Sequence, residues 1–224
     1  MRFFTRCARF AVAQGSYSLW KFALILGGES LAAADVLVAA ANSRNPLMWE
    51  TVRDTLAKDF MDPACVEQVL YGVAESTNHL AFLDVLEHAS RLGLRYDADR
   101  LLAAIARKGC RLNWEHATEG LHLRPTLKGC DGLVDAALLG RDGVILDDLQ
   151  TADYLPFSMK ERIKWKRHLD AVVAGRNIEH IHSVMDMCQN LKPQDYAEAE
   201  AFLGSVRYHY PQREHKDPFL HRAA

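Results

Sequence analysis

The side chains best suited to chemistry sit late in the chain, in "EHIHSVMDMC", where His180 and His182 are followed by Asp186 and Cys188. Imidazole, thiolate and carboxylate are the donor set of a zinc site. The surrounding run is helix-periodic, however, and residues two apart on a helix point about 200° away from each other. His180 and His182 therefore cannot chelate from one face. His182 and Asp186 stand one turn apart, but two donors do not close a tetrahedral site. His116 and His122, near Glu115 and Glu119, meet the same objection. Asp147 and Asp148 are neighbours rather than carboxylates opposed across a pocket, which reads as an acidic loop cluster. There is no GxGxxG, no GxxxxGK, no HExxH and no GxSxG in the sequence, and "GRDG" at 140–143 reads as a turn. The expectation is a chain that is not an enzyme, with no catalytic residue, metal ligand or cofactor site.

The five cysteines, Cys7, Cys65, Cys110, Cys130 and Cys188, are odd in number and none has CxxC spacing. This argues against a disulfide scaffold and suits a reducing compartment, with the thiols acting as small buried apolar groups. The best polar candidate is the basic run "KERIKWKRH" at 160–168. Lys160, Lys164 and Arg167 share one helix face, opposite Trp165, Leu169, Val172 and Val173. Such a helix can hold phosphates, meet an acidic neighbour protein or face solvent. The tail "RYHYPQREHKDPFLHRAA", residues 207–224, loses the helical pattern at Pro211 and Pro218. It reads as an extended tail over 211–224, with Phe219 and Leu220 available as partner anchors.

The bulk numbers fit a globular chain with a real core: 224 residues, 49% apolar and 25% charged. A net charge of −2 excludes a general polyanion binder while allowing a local basic face. The first 27 residues differ from the rest. They carry Arg2, Arg6, Arg9 and Lys21, have no acid before Glu29, and interleave Phe3, Phe4, Phe10, Val12 and Leu19. An Arg-rich, acid-free amphipathic start is the pattern of mitochondrial import, either as a signal retained and folded or as a plain basic first helix. "LWKFALIL" is too short and interrupted to span a bilayer.

Helical periodicity dominates the remainder. Runs at 4–24, 29–42, 46–60, 63–76, 79–92, 97–108, 113–123, 131–139, 158–174, 177–190 and 194–209 are separated by Asn45-Pro46, Asp62-Pro63, Gly93, Gly109, Pro125, Gly129, Pro156, Gly175 and Pro193. Short connections make successive helices antiparallel neighbours. The hydrophobic pattern also repeats. A shift of 33 residues brings Val36-Leu37 onto Val69-Leu70 and Trp49 onto Phe82, and a shift of 35 brings Val66 onto Leu101 and Leu70 onto Ile105. Asp62 and Asp97 open successive units. The fold class implied is all-α, a helix-hairpin array over 28–210 with an irregular stretch near 124–157.

The unit "DPACVEQVLYGVAESTNHLAFLDVLEHASRLGLRYD" resembles a pentatricopeptide repeat. It has apolar residues at the first, fourth and fifth places of its first helix, a small Gly72, and a closing "GLRYD" that "NLKPQD" at 190–195 echoes. The tetratricopeptide pattern fits less well. The resemblance implies a right-handed α-solenoid. It also implies a choice of function, since pentatricopeptide proteins of organelles usually bind single-stranded RNA, one base per repeat. In this chain the reading position falls at Gln68 and, one period on, at Ala103, which has no hydrogen bond to offer. Short degenerate members of the family serve instead as protein-binding subunits of mitochondrial assemblies, such as the extra helical-repeat subunit of euglenozoan ATP synthase. The reading that follows is a non-catalytic accessory subunit on the matrix side of mitochondria, bound to a neighbouring protein of ATP synthase or another respiratory complex. An RNA-binding role, for example in a mitochondrial ribosome, is the alternative.

Overall fold

The computed structural model describes residues 2–108, 110–126, 128–140, 145, 148 and 149. Among the described residues the chain is all-helical, with nine α-helices and no strand. The expected helices at 158–174, 177–190 and 194–209 lie outside the described residues, as do Lys160, Lys164, Arg167, Phe219, Leu220 and the His180–Cys188 group.

The chain opens with a hairpin. In α1, Arg2–Ala13, Thr5, Ala8, Ala11 and Val12 are buried while Arg6 and Arg9 face outward. The run expected as one helix over 4–24 breaks at Gly15, whose φ of 72° suits glycine and ends α1. Ser16 then caps α2, Tyr17–Gly27, by accepting from the Leu19 N–H. Far from standing apart, this basic N-terminal segment contributes Ala8, Ala11, Val12, Trp20 and Ala23 to the same core as the later helices.

The following helices are α3, Ala33–Ala41, and α4, Leu47–Thr55. After a 3₁₀ turn at Asp59–Met61 come α5, Pro63–Ala74, and α6, His79–Arg91. Their ends were written locally. Asp62 accepts from the Ala64 N–H with Pro63 as the first helical residue, and Asn78 accepts from the Ala81 N–H. At the seam "SRLGLRYDADRLL", Gly93 adopts a φ of 65° and Leu94 N–H returns to Ala89 O at 2.9 Å. Asp97 Oδ1 then accepts from the Arg100 N–H at 3.2 Å and opens α7, Ala98–Lys108. Next, α8, Arg111–Glu115, runs into a π-turn at His116–Gly120, and α9 spans Gly129–Leu139. Ile145, Asp148 and Leu149 are helical too.

Helix neighbours follow chain order. α1 pairs with α2, α3 with α4 and α5 with α6, while α1 touches α3, α3 touches α5, α5 touches α7 and α7 touches α9. Burial keeps a matching register. Val36, Leu37, Ala40 and Ala41 in α3 are followed 33 residues on by Val69, Leu70, Val73 and Ala74, all buried. Shifts of 32 then lead to Leu101, Leu102, Ile105 and Ala106, and to Leu133, Val134, Ala137 and Leu138, again all buried. The even-numbered helices keep step through Met48, Trp49 and Val52, then Ala81, Phe82 and Val85, then Asn113, Trp114 and Ala117. The same register ends on Ile145 and Leu149. Burial thus equates Leu101 with Val69, not with Val66 as the 35-residue shift has it.

Side-chain hydrogen bonds also tie α1 to α3, α5 to α7 and α7 to the segment before α9. Thr5 Oγ1 accepts from the Ala32 N–H at 3.2 Å, supplying α3 with the cap that Ala32 lacks. The Tyr71 hydroxyl accepts from the Asp97 N–H at 3.0 Å, and Asp99 Oδ1 accepts from the Thr126 N–H at 2.6 Å. Gly72 allows α3 and α5 to approach, because a Cβ there would lie 2.4 Å from Val38 Cγ2. Its close neighbour is therefore the preceding odd-numbered helix.

Candidate functional site

A groove of about 530 Å³ runs across the exposed sides of four odd-numbered helices. α1 contributes Arg6, Arg9, Phe10 and Ala13; α3 contributes Val38, Ala39 and Asn42; α5 contributes Gly72 and Glu75; α7 contributes Lys108. A second depression of about 420 Å³ shares Arg6 and Arg9 and adds Thr5, Ser30, Leu31, Ala32 and Asp35. The helices meet the groove because their inner stripes are fixed in the core, which turns the residues between the stripes outward. Glycine at 72 and alanines at 13 and 39 keep the floor low and apolar. Arg6, Arg9 and Lys108 supply positive charge, and Glu75 is bridged by Arg107 at 3.1 Å. Such a surface can hold an extended segment or a helix by its apolar side chains and its acids. Among the described residues that line it there is no nucleophile with a partner base.

Gln68 is exposed on α5 but does not line the groove. One burial period further on stands Arg100, not Ala103, and its guanidinium lies 3.8 Å from the centre of the Tyr71 ring. The exposed Gln68 carboxamide can donate and accept hydrogen bonds, whereas the Arg100 guanidinium only donates.

Among the described residues, His116 and Asp148 make packing contacts between helices. His79 Nδ1 is 3.0 Å from Asn113 Oδ1, and the buried Asn113 donates to Ser76 O at 3.2 Å. The His116 ring lies 6.1 Å from that of His79 and meets Phe82 edge-on. Burial, with the nearby His79, lowers the pKa of His116. His122 sits at a φ of 54° in the turn after α8. Asp148 accepts from the Trp114 indole N–H at 3.0 Å, so this acid ties two helices rather than belonging to a loop cluster. Among the described residues no group of three or more His, Cys, Asp or Glu side chains is arranged to hold a metal ion. Burial first, then neighbouring aspartates, pushes the thiols of Cys65 and Cys130 up to about 11, so both are held as neutral thiols.

One surface feature escaped the sequence reading. Leu47, Leu80 and Leu112 are all exposed, near the starts of α4, α6 and α8. They follow the core register, 33 and then 32 residues apart. Spacing alone could have found them once that register was known. Comparison of the chain with protein-family models, with curated proteins and with solved structures found no match in any of the three.

Proposed function

We propose that the chain is a non-catalytic helical-repeat protein of the α-solenoid kind, an accessory subunit of a large mitochondrial assembly. ATP synthase or another respiratory complex is the proposed setting. The partner is a neighbouring subunit that lays an acidic, partly apolar segment in the groove. The observation that carries this reading is the groove itself, an apolar floor with Arg6, Arg9 and Lys108 drawn from the two ends of a four-helix row. The register of burial supports the repeat plan, since units spaced 32 or 33 residues bury equivalent side chains. That spacing is shorter than the pentatricopeptide unit of about 35 residues, so the likeness to that family rests on plan and on the Gly93 seam. The basic, acid-free start supports import into mitochondria.

The three groove cations also favour a second reading, in which they meet RNA phosphates. Against it stand Asp35, Gln68 and Arg100, which occupy equivalent positions yet share no base-reading chemistry. A gel-shift series against single-stranded oligonucleotides, together with native-gel migration from mitochondria, separates the two. A structural subunit co-migrates with a large complex at fixed stoichiometry and leaves oligonucleotides unshifted. An RNA reader shifts them and loses affinity steeply as salt rises.

A further inference from the structure

The hairpin of α1 and α2 carries side chains that its own repeat register does not predict. Leu19 corresponds to Met48, Ala81, Asn113 and Ile145, every one of them buried, yet Leu19 is 50% exposed. Cys7 corresponds to the buried Val36, Val69, Leu101 and Leu133, yet it is exposed. Each later odd-numbered helix, by contrast, touches the odd-numbered helix before it. Helical spacing puts Phe3 and Phe10 beside Cys7, and both are exposed.

The outer side of α2 departs further. Phe22, Ile25 and Leu26 are exposed by 61%, 79% and 51%. The equivalent residues are Thr51, Asp54 and Thr55 in α4, and Asp84, Glu87 and His88 in α6. Position for position, polar side chains in two later units become aromatic and aliphatic in α2. The same segment carries Arg2, Arg6, Arg9 and Lys21 and has no acid before Glu29.

We propose that the α1–α2 hairpin is a membrane-surface contact, in which Phe3, Leu19, Phe22, Ile25 and Leu26 enter the acyl boundary of an anionic leaflet and the flanking cations meet its phosphates. An amphipathic, cation-rich apolar face is the physical form of an interfacial helix. Among the described residues no helix is long and apolar enough to cross a membrane, so the contact lies on the surface. Charge selects the occupant. A second copy brought face to face would set Arg6, Arg9 and Lys21 against the same three cations, whereas an anionic leaflet favours each cation near it by about fivefold in partitioning. Arg6 and Arg9 also line the groove, so a groove partner and the leaflet draw on the same two cations; the triple variant leaves both in place and tests the apolar contact alone.

Flotation of the full chain with phosphatidylcholine vesicles, with and without cardiolipin, tests it. The expected result is binding at least about tenfold stronger with cardiolipin, partly released by salt. The triple variant Phe22→Thr, Ile25→Asp, Leu26→Thr copies the residues that α4 carries at the same positions. It should keep its helical circular dichroism and melting temperature while losing about tenfold or more in vesicle binding. Equal binding by the variant, or no flotation of the wild type with cardiolipin, overturns the proposal. A wild type that dimerises without binding vesicles, and that the triple variant converts to monomer, overturns it in favour of a second copy. Vesicle-independent capture of an acidic protein, abolished by the same variant, overturns it in favour of a protein partner.

Discussion

The indole N–H of Trp49 donates to Asp84 Oδ2 at 2.9 Å, joining α4 to α6 across 35 residues of chain. Two units further on, Trp114 repeats the link to Asp148 at 3.0 Å, across 34 residues. Between these two pairs the equivalent indole is replaced by Phe82, which meets the His116 ring edge-on instead. Tryptophan recurs because it fills the core between helices and carries a donor to their rim.

Asp84 also accepts from Arg53 at 2.5 Å, and that hydrogen bond is the main reason the Arg53 pKa is raised. Arg53→Met removes one charge-assisted bond at the rim of the core, for an expected loss of about 1–2 kcal/mol. Asp84→Ala leaves both the nearly buried indole N–H and the half-buried guanidinium without this acceptor, for about 2–3 kcal/mol. Urea unfolding of the two variants checks the order. Equal losses would mean that the Trp49 link contributes nothing.

Gly72→Ala pits two effects against each other. Alanine improves helix propensity by about 1 kcal/mol, but its Cβ would fall 2.4 Å from Val38 Cγ2, and overpacking of this kind costs about 1–3 kcal/mol. The single variant should therefore be destabilised. In a Val38→Ala background the contacts at 2.4 and 2.9 Å are gone and only the one to the Cβ of residue 38, at 3.2 Å, remains, so Gly72→Ala should cost less than it does in the wild type. A double-mutant cycle reads that coupling directly.

Thiol labelling at neutral pH should reach Cys7, which is exposed, well before Cys65 or Cys130. The latter two are pushed up to about 11 from an ordinary 9.0. The folded state holds these protons more tightly than the unfolded state. Their contribution to stability is therefore complete below pH 9 and is lost as pH rises towards 11. Substituting both cysteines by alanine should flatten the alkaline limb of the pH–stability curve over that window.

The acid side is governed differently. His116 is held below its ordinary 6.5, chiefly by burial and then by His79. Its contribution is present above pH 6.5 and is lost as pH falls through the lowered value. His116→Gln should reduce the slope of stability against pH just below 6.5, as read by thermal melts. An unchanged slope would assign the acid lability to other groups.

The helix ends were the most legible part of this chain, and the packing register the least. Asp62, Gly93 and Asp97 announce the start of α5 and the seam between α6 and α7, because caps act through their nearest backbone groups. Register is another matter. Asp62 and Asp97 stand 35 residues apart, but α5 has an extra turn before its buried quartet begins at Val69, whereas α7 reaches its quartet at Leu101 almost at once. Aligning caps therefore misaligns cores by three residues. The break between α1 and α2 was hidden because apolar periodicity runs on through Gly15 and Ser16. The groove was hidden for a different reason: Arg9, Asn42, Glu75 and Lys108 are ordinary surface residues until four helices bring them to one place.

The central claim, a protein partner held in the groove, is tested most directly by a photo-crosslinking residue placed at the exposed Asn42 and activated inside intact mitochondria. The account predicts one dominant protein adduct that resists ribonuclease and migrates with a large assembly on a native gel. It also predicts that the adduct is strongly reduced when Lys108, the groove cation outside the basic start, is reversed to glutamate. An adduct that ribonuclease removes, or one unaffected by charge reversal, would contradict it.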